Sequence, residues 1–409
     1  MNDFTILAGG VTSPMGFSAS GIHCGIRKNK DKKDLALIVS NSLCSASAVY
    51  TLNKVQGAPI AVTKEHLQNG MAKAVICNSG NANTCNTDGV KKAKATCQAL
   101  ADELKMNAND IIVASTGVIG QPLPLEPIVD GIPLLVSQLG IGPTNGTDAA
   151  TAIMTTDTVI KEAAVSFIAG GKTCTIGAMA KGSGMIHPNM ATMLCFITCD
   201  AAVSPAMLQQ ALSRTVNQTF NMVSVDGDTS TNDMVSILCS GQAGNPEITA
   251  PGEDFDQFTG ALTALCTHLC RMIAKDGEGA TKLLQCTVTY APSPAIAKAV
   301  AKSVITSSLF KAAMFGEDAN WGRALCAIGY TPGDFDINKV SVALSSKAGS
   351  VLVCQNGSGV DFSEKAASKI LAQDEIIISV SLGEGQNSAT AWGCDLTYDY
   401  VKINGSYRT

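Results

Sequence analysis

Apolar residues return along the chain with two different periods, and each period predicts its own kind of element. Where they recur every three or four positions, the pattern predicts an amphipathic helix. Where they alternate with small or polar residues, or form short runs bounded by glycine, it predicts a strand. The predicted helices are Gly89–Leu104, Pro205–Phe220, Asp254–Lys275, Pro294–Met314 and Ser363–Ala372. The predicted strands are Leu35–Val39, Ala74–Cys77, Ile111–Ala114, Ala163–Ala169, Thr173–Ala180, Met193–Ala201, Val340–Ser345, Glu375–Leu382 and Ala389–Lys402.

The connections between these elements indicate the fold class. Short glycine-rich turns join strands directly, as at Gly170-Gly171, which predicts antiparallel hairpins. Two helices follow Ser-Pro pairs, Ser204-Pro205 and Ser293-Pro294, which predicts a serine N-cap before proline in the first turn. Strands and helices do not alternate regularly, so a doubly wound parallel sheet is disfavoured. We therefore predict an α/β protein of the α+β kind, with antiparallel-rich sheets packed with helices.

Composition adds a size and an environment to this picture. A chain of 409 residues allows two or three domains or one large α/β unit. Hydrophobic residues make up 46% and charged residues 15%, which indicates extensive burial and excludes a disordered chain. The mean hydropathy is +0.20, but no apolar run approaches the roughly 20 residues of a membrane helix. We therefore expect no membrane association.

Charge and cysteine usage exclude further classes. The net charge is −5 and no basic block is present, which argues against a nucleic-acid partner. The N-terminus lacks a basic segment followed by an apolar one, so no secretory signal is predicted. Fifteen scattered cysteines and four histidines contain no repeated metal-ligand pair, so we predict buried thiols, no metal and a cytoplasmic location.

Several short segments are dense in small and polar residues although the chain as a whole is apolar. Each by itself is typical of a surface turn. Together they hold much of the polar chemistry of the chain, and loops at strand ends commonly carry catalytic groups. The segments are Asn78–Asn83, Ser115–Gly117, Thr155–Thr158, Lys181–Gly184, Asp226–Asp233, Lys275–Thr281 and Gly316–Arg323.

The central segment KGSGMIHPNMATML, residues 181–194, supports two interpretations. In the simpler one it is a loop entering a strand, with Thr192 as a β-branched first residue. In the other, cleavage of the Ala191–Thr192 bond makes Thr192 an N-terminal nucleophile. A threonine hydroxyl needs a base beside it, and a free α-amine with a pKa of about 7.7–8.0 can be that base. His187 is then not needed as the base, and we expect it to be a loop residue.

This segment and many others resemble the glutamate N-acetyltransferase/ornithine acetyltransferase family of arginine biosynthesis. KGSGMIHPNMATMLCFITCD resembles the family's cleavage segment, and further blocks follow in family order over essentially the whole chain. The blocks are AGGVTSPMGF, DLALIVSNS, NSGNAN, VASTGVIGQPLP, MTTDT, SVDGDTSTND, KDGEGATK, FGEDANWGR and INGSYRT. The resemblance implies a sandwich fold, cleavage into an α chain (1–191) and a β chain (192–409) intertwined in one core, and an α2β2 assembly.

The resemblance also implies roles for single residues. Thr192 is the acyl-accepting nucleophile, and Thr116 and Gly117 form the oxyanion hole. Lys181 meets a substrate carboxylate, whereas Glu278 and the terminal carboxylate of Thr409 meet ammonium groups. The implied substrate-binding residues are Thr155, Lys181, Thr192, Glu278, Asn404 and Thr409.

The activity implied by the resemblance is a ping-pong transfer of acetyl from N2-acetyl-L-ornithine to L-glutamate through an acetyl-Thr192 intermediate. No cofactor is required, and whether acetyl-CoA also serves as a donor stays open. One alternative is an N-terminal-nucleophile amidase or aminopeptidase that passes the acyl group to water. The other is a non-enzymatic structural or thiol-rich binding protein.

Overall fold

The computed structural model describes residues 4–187 and 193–405. These residues divide into two compact units. Within the described parts of the chain, the first unit draws on residues 1–182, 188–221 and 229–269, and the second unit on residues 183–187, 222–228 and 270–409. Each unit therefore contains residues from both sides of the predicted cleavage bond.

The strands of the described chain form two sheets, one in each unit. In chain order they are β1 (Ile6–Leu7), β2 (Phe17–Ile22), β3 (Leu35–Tyr50), β4 (Met71–Asn81), β5 (Ile111–Val118), β6 (Lys161–Ala169), β7 (Lys172–Lys181), β8 (Leu194–Cys199), β9 (Val223–Ser224), β10 (Met234–Cys239), β11 (Leu283–Ala291), β12 (Ser341–Ser346), β13 (Gly349–Gln355), β14 (Ser358–Gly359), β15 (Glu375–Ser381) and β16 (Asn387–Cys394). The 9-stranded sheet of the first unit has the order β1-β6-β7-β8-β10-β3-β4-β5, with β2 also paired to β3. The 7-stranded sheet of the second unit has the order β14-β13-β12-β15-β11-β16-β9.

Most strand pairs are antiparallel, which confirms the predicted antiparallel-rich sheets. The parallel pairs are β8 with β10 and β4 with β5 in the first unit, and β11 with β15 and β9 with β16 in the second. Gly170 and Gly171 form the predicted hairpin turn between β6 and β7, with φ angles of +54° and +72°. These positive angles explain the glycine pair, because other residues adopt them at a cost.

Helices flank the strands in the sequence. They are α1 (Ala58–His66), α2 (Gly89–Leu104), α3 (Leu125–Ser137), α4 (Pro143–Ile153), α5 (Pro205–Gln218), α6 (Glu253–Lys275), α7 (Pro294–Thr306), α8 (Ser308–Phe315), α9 (Trp321–Gly329), α10 (Glu364–Leu371) and α11 (Tyr398–Gly405). Among the described residues, no helix combines the length and the apolar character that a membrane crossing requires.

The sheet of the first unit separates two apolar clusters. Along β3, Leu35 and Leu37 belong to one cluster, and Ala36 and Ile38 to the other. This follows from the strand period of two, which sends successive side chains to opposite faces. The cluster of Leu35 includes α2 and α3 residues, and the cluster of Ala36 includes α4 residues. Both faces of the sheet are thus buried, which explains the low charge content.

Two predicted elements have different boundaries in the structure. Pro294–Met314 is not one helix, because Ser307 adopts an extended conformation and caps α8 by accepting a hydrogen bond from Phe310 N at 3.3 Å. The predicted strand Ala389–Lys402 ends at Cys394, and α11 follows. The Ser307 cap sets the first of these boundaries, and the end of strand pairing at Cys394 sets the second. Neither feature alters the apolar pattern along the sequence.

The Ser-Pro prediction holds at one of its two positions. Ser293 accepts a hydrogen bond from Ile296 N at 3.2 Å and caps α7. Ser204 precedes Pro205 in α5, but its side chain makes no capping bond. The sequence pattern did not predict α1, α3, α4, α9 and α11; of these, α1 and α4 carry proline in the first turn.

The cysteines occupy the positions expected of core thiols. Cys266 and Cys270 share a buried face of α6, as predicted, and β8 with Cys195 and Cys199 is buried on both faces. None of the cysteines forms a disulfide in the structure as described.

Candidate active site

Thr116 and Gly117 lie near the end of β5, where β5 runs parallel to β4. Gly117 stands opposite Gly80 in the register of the two strands. Gly117 has a φ of +131°, and a Cβ atom added there would lie 2.4 Å from the carbonyl carbon of Gly80. Position 117 therefore requires glycine unless a strand moves. The sheet itself holds the backbone of the predicted oxyanion hole.

A buried network of amide and hydroxyl groups lies next to this pair. Ser115 Oγ donates to Asn78 Oδ1 at 2.6 Å. Asn232 Nδ2 donates to the carbonyl oxygens of Ser115 and Ala82, at 3.0 and 2.5 Å. Asn232 Oδ1 accepts from Thr84 Oγ1 at 2.6 Å. Because buried polar groups that are fully paired rigidify a core, this network fixes the strand ends that carry Thr116.

Lys181 is the last residue of β7, and the structure brings it to Thr116. Its antiparallel partner is Leu194, the first residue of β8, which follows shortly after the predicted nucleophile in the sequence. Lys181 is 8% exposed, and its Nζ donates to Thr116 Oγ1 at 3.3 Å. A predicted substrate-binding residue and a predicted oxyanion-hole residue, far apart in sequence, are therefore in contact.

Asp157 links the residue after Lys181, Gly182, to Thr155, which is another predicted substrate-binding residue. Asp157 Oδ1 accepts from Gly182 N at 2.7 Å, and Oδ2 accepts from Thr155 N at 2.9 Å. Lys161 Nζ forms an ion pair with Asp157 Oδ1 at 2.8 Å, and both side chains are fully buried. Burial acts to raise the pKa of the Asp157 carboxyl, but the charges of Lys181 and Lys161 and the hydrogen bonds lower it to about 2. We call Asp157, Lys161 and Lys181 the lysine cluster.

Asp233 is a second buried carboxyl under the influence of Lys181. Burial raises the pKa of the Asp233 carboxyl well above its usual range, whereas hydrogen bonds with Ser230 and Thr51 and the charge of Lys181 act to lower it. The next residue, Met234, donates its N–H to Met193 O at 3.0 Å, which ties the start of β10 to the residue before β8.

In the second unit, Glu278 and Asn404 are in direct contact. Asn404 Nδ2 donates to Glu278 Oε2 at 2.7 Å, although the two residues belong to separate polar segments of the sequence. Glu278 is 7% exposed, and its N–H donates to Ser183 O at 3.0 Å. A Cβ atom added at Gly184 would lie 2.3 Å from the carboxyl carbon of Glu278. Because Gly184 has no Cβ atom, the segment Gly182-Ser183-Gly184 leaves space for this carboxylate.

Asp226 binds the residues that follow Gly184 in the same segment. Its carboxylate accepts from Met185 N at 2.6 Å and from Ile186 N at 2.9 Å, and Tyr400 Oη lies 3.4 Å away. Met185 has a φ of +56°, which a non-glycine residue keeps only when such contacts compensate for the strain. We call Asp226, Glu278, Tyr400 and Asn404 the carboxylate cluster.

His187 lies in a loop, as predicted. Its Nδ1 is 3.1 Å from Ser224 Oγ. Burial, followed by the positive charge of Lys302, lowers the pKa of His187 to about 4, whereas Asp226 acts weakly in the other direction. The ring is therefore neutral at physiological pH.

Three of the predicted site residues lie outside the described residues: Ala191, Thr192 and Thr409. Thr155, Lys181, Thr116 and Gly117 are described in the first unit, and Glu278 and Asn404 in the second. In the described ranges, no group of three or more histidine, cysteine, aspartate or glutamate side chains could hold a metal ion.

Other residues of these clusters and of the amide network are not among the site residues predicted from the sequence. Asp157, Asp226 and Asn232 lie in predicted polar segments, so the available signal was a polar run within an apolar chain. Lys161 gave no such signal. It begins the strand segment KEAAVSFIA, where a lysine at the edge of an apolar run reads as exposed, yet it is fully buried.

These features define a class of protein. The first unit has a strand end where only glycine fits, with hydroxyl and backbone donors and a buried lysine, and the second unit has a set of carboxylates. Such groups suit an enzyme that transfers acyl groups between charged amino acids. The comparison with known proteins agrees. The model of the ArgJ family matches residues 18–409, and the chain belongs to this family.

Relatives of the family are similar over nearly their whole length. The chain is 49% identical over 405 residues to the arginine biosynthesis bifunctional protein ArgJ of Caldanaerobacter subterraneus subsp. tengcongensis, covering 99% of this chain and 100% of the relative. It is 50% identical to the protein of the same name from Symbiobacterium thermophilum, covering 98% and 99%. The predicted family and its place in arginine biosynthesis are confirmed.

Two solved structures are also similar. The crystal structure of the arginine biosynthesis bifunctional protein ArgJ from Bacillus halodurans is 44% identical, with a TM-score of 0.49, and covers 52% of this chain and 98% of that one. The ornithine acetyltransferase of Mycobacterium tuberculosis, complexed with ornithine, is 38% identical, with a TM-score of 0.43, covering 46% and 100%.

Proposed function

We propose that this chain transfers the acetyl group of N2-acetyl-L-ornithine to L-glutamate, using Thr192 as an N-terminal nucleophile after cleavage of the Ala191–Thr192 bond. Membership of the ArgJ family supports the reaction class. The contact of Lys181 Nζ with Thr116 Oγ1 at 3.3 Å carries the assignment of the site, because it joins a predicted carboxylate-binding group to a predicted oxyanion-hole group.

In the first half of the reaction, Thr192 Oγ attacks the acetyl carbonyl carbon. The α-amine of Thr192 takes the hydroxyl proton, since a neutral fraction of such an amine exists near pH 7. Thr116 and the backbone of Gly117 stabilise the oxyanion of the tetrahedral intermediate. The C–N bond then breaks, the α-ammonium returns the proton to the leaving nitrogen, and ornithine departs from acetyl-Thr192.

In the second half, the neutral α-amine of glutamate attacks the ester carbonyl carbon of acetyl-Thr192. A tetrahedral intermediate forms again at the same oxyanion hole. The C–O bond to Thr192 breaks, the proton lost by the attacking nitrogen passes through the α-amine to Thr192 Oγ, and N-acetylglutamate leaves. The threonine is regenerated, so the cycle needs no cofactor.

Charge complementarity orients the two substrates. Both carry an α-carboxylate, which Lys181 binds, with Thr155 beside it. Glu278 and the terminal carboxylate of Thr409 bind ammonium groups, and Asn404 orients Glu278 through the bond at 2.7 Å. Self-cleavage uses the same nucleophile, with Thr192 Oγ attacking the carbonyl carbon of Ala191 before water hydrolyses the ester.

The assembly and location belong to the same proposal. The chains 1–191 and 192–409 stay intertwined, two of each form an α2β2 enzyme, and the enzyme works in the cytoplasm. Acetyl-CoA is a second acetyl donor if the chain shares the bifunctional character that the names of its relatives state.

Product identity tests the proposal. Purified enzyme is incubated with acetylornithine with and without glutamate, and N-acetylglutamate, ornithine and acetate are quantified. We expect ornithine and N-acetylglutamate in equal amounts, and little acetate. Release of acetate at the same rate with or without glutamate would instead identify an amidase. A parallel reaction with acetyl-CoA in place of acetylornithine decides the second donor.

The variant Thr192→Ala tests the nucleophile. We expect a single species of 42.1 kDa on denaturing electrophoresis, whereas the wild type resolves into two chains. We also expect loss of transfer by a factor of about 10³ or more, as for other acyl-transfer nucleophiles. The matched control is Thr173→Ala, because Thr173 is an exposed β7 residue and its variant should be cleaved and active. A wild type that stays uncleaved yet transfers acetyl would refute the terminal-nucleophile mechanism.

A further inference from the structure

The lysine cluster holds more positive than negative charge in a buried place. Asp157 and Lys161 are 0% exposed in their side chains, and Lys181 is 8% exposed. The ion pair that Asp157 makes at 2.8 Å is with Lys161, whereas Lys181 Nζ donates to the neutral hydroxyl of Thr116. Both lysines thus act on the Asp157 carboxylate, Lys161 through an ion pair and Lys181 through its charge.

A further buried carboxyl group, that of Asp233, lies under the influence of Lys181. Its Oδ2 has no hydrogen-bond partner within the described chain, and burial, which disfavours the charged form, raises the pKa of this carboxyl well above its usual range. The charges of Asp157, Lys161 and Lys181 by themselves sum to one positive charge. Because a buried charge without a counter-ion is costly, a cluster with this balance favours an anion beside it.

We propose that Lys161 is a positioning residue that engages Asp157 and so leaves the charge of Lys181 to recognise the α-carboxylate of both amino-acid substrates. This inference rests on the proposed function and adds a specificity determinant to it. If Lys161 were neutral, Asp157 would neutralise Lys181 instead, and the site would lose its preference for an anion.

Asp157 also serves as a geometric link in this arrangement. Its two oxygens accept from the backbone N–H groups of Gly182 and Thr155. Gly182 follows Lys181 in the chain, and Thr155 is itself a predicted substrate-binding residue. The carboxylate therefore fixes the backbone on both sides of the carboxylate-binding position, while Lys161 balances its charge. Combining Asp157→Asn with Lys161→Met keeps one side-chain oxygen as a hydrogen-bond acceptor. It also removes the carboxylate that would otherwise neutralise Lys181, so the excess positive charge returns.

The first test is Lys161→Met in the cleaved enzyme. We expect KM for acetylornithine and for glutamate to rise about tenfold, which is the effect of one weakened charge-assisted hydrogen bond, with kcat changed far less. The diagnostic substrate is N-acetyl-1,4-diaminobutane, which is acetylornithine's chain without an α-carboxylate. Its kcat/KM is low in the wild type and should be the same in the variant, because it has no carboxylate to lose. An equal loss for both substrates would show a merely structural role and overturn the proposal.

The second test is the double variant Asp157→Asn with Lys161→Met. Charge balance predicts that removing both partners recovers most of the affinity lost in Lys161→Met, to within about threefold of the wild-type KM for acetylornithine. A double variant with a KM as high as that of Lys161→Met, or higher, would contradict the proposal. The double variant also covers the case in which Lys161→Met fails to fold, because it does not leave the fully buried Asp157 carboxylate without its Lys161 partner.

The matched control is Lys92→Met. Lys92 and Asp88 form an ion pair of the same i,i+4 spacing at 2.9 Å, but Asp88 is 48% exposed. We expect no change in either kinetic constant. A KM shift equal to that of Lys161→Met would mean that any lysine loss has this effect, and the proposal would fail.

Binding measurements separate this inference from the proposed function. Calorimetry compares ornithine with ornithinamide, in which the carboxylate is neutral, on wild type and Lys161→Met. The proposal expects the wild type to prefer ornithine by about tenfold and the variant to lose that preference. This result is independent of whether N-acetylglutamate is formed. A wild type that transfers acetyl to glutamate but binds both ligands equally would sink the inference alone.

Discussion

The lysine cluster of the first unit and the carboxylate cluster of the second unit differ in how they are built. In the first, Lys161 and Asp157 are fully buried, and Gly117 lies against the backbone of a neighbouring strand. In the second, Gly184 lies against the end of a glutamate side chain, and Asn404 belongs to a helix on which no residue is buried. One cluster is anchored in a sheet, and the other consists of side chains that can rearrange.

This difference teaches which changes each cluster tolerates. Backbone atoms in a sheet cannot withdraw from a new Cβ atom without breaking the pairing of two strands, so a Cβ atom added at Gly117, beside the Thr116 that Lys181 contacts, acts on folding and catalysis together. The end of a side chain can withdraw at little cost to stability, so a change in the second cluster acts on binding. The predictions below test this contrast.

Gly117→Ala should have the largest effect. The new Cβ atom would lie 2.4 Å from Gly80 C, and the backbone has a φ of +131°. We expect a loss of about 3 kcal/mol in unfolding free energy from the clash and strain. We also expect a fall in kcat of at least about 10²-fold from displacement of the oxyanion donor. Chemical denaturation and steady-state kinetics measure the two effects.

The control for this variant is Gly120→Ala. Gly120 has a φ of +77°, but nothing lies within 4 Å of its added Cβ atom. The Gly120→Ala variant therefore has backbone strain but no clash. Its unfolding free energy should fall by only about 1 kcal/mol, and its kcat should equal that of the wild type. Equal losses in both variants would show that strain, and not the fit against β4, governs the first cluster.

Gly184→Ala should separate binding from stability. Its Cβ atom would displace the Glu278 carboxylate, which lies at 2.3 to 2.4 Å from it. We expect KM for acetylornithine to rise about tenfold through loss of the ammonium contact, while the unfolding free energy changes by less than about 1 kcal/mol. Gly329→Ala is the control, because nothing lies near its added Cβ atom. A strongly destabilised Gly184→Ala protein would show that the second cluster is as rigid as the first.

Asn404→Ala should have a smaller effect on the same carboxylate. It removes the hydrogen bond of 2.7 Å to Glu278 Oε2 but leaves Glu278 in place. We expect KM for acetylornithine to rise about threefold to fivefold, the effect of one hydrogen bond near the surface. Lys402→Ala, an exposed change on the same helix, should leave KM as it is. An effect larger than that of Gly184→Ala would reverse the order proposed for the two contacts.

His187→Gln should give the smallest effect, and only at acidic pH. The pKa of His187 is lowered from 6.5 to about 4 in the folded protein, so the unfolded state binds more protons between these values. Stability therefore falls as the pH falls through that range. We expect His187→Gln to reduce the loss between pH 7 and pH 4.5 by about 1 kcal/mol once solvent screening is allowed for. Denaturation series at both pH values measure it, and a variant that loses as much stability as the wild type between them would contradict the prediction.

Local signals predicted some elements well and others not at all. Gly89–Leu104 agrees with α2 residue by residue, because its apolar spacing and its flanking residues point the same way. Helix α3 was missed because Pro133 lies inside it, and the first residues of α11 were assigned to the strand predicted to run from β16. In α3, burial of Ile128, Ile132 and Leu135 decided against the local preference, which single residues do not report.

The candidate site shows the same division. Thr116, Gly117, Thr155, Lys181, Glu278 and Asn404 were proposed from a family resemblance over polar segments, and the structure adds which of them touch. Lys161 could not be found from the sequence, because burial of a lysine depends on a counter-ion that only the fold supplies. Asp226 stood in an identified segment, but its bonds to Met185 N and Ile186 N depend on how two distant loops meet.

The sequence by itself determined the family, the alternating strands, the hairpin at Gly170-Gly171 and the polar segments that contain the candidate site residues, because these depend on residue type and spacing along the chain. Only the tertiary structure decided that Lys181 contacts Thr116, that Asn404 contacts Glu278, and that Asp157 and Lys161 are buried together. The physical reason is that charge balance and desolvation are properties of a place in the fold. A lysine therefore acquires its role from the groups that surround it and not from its position in the chain.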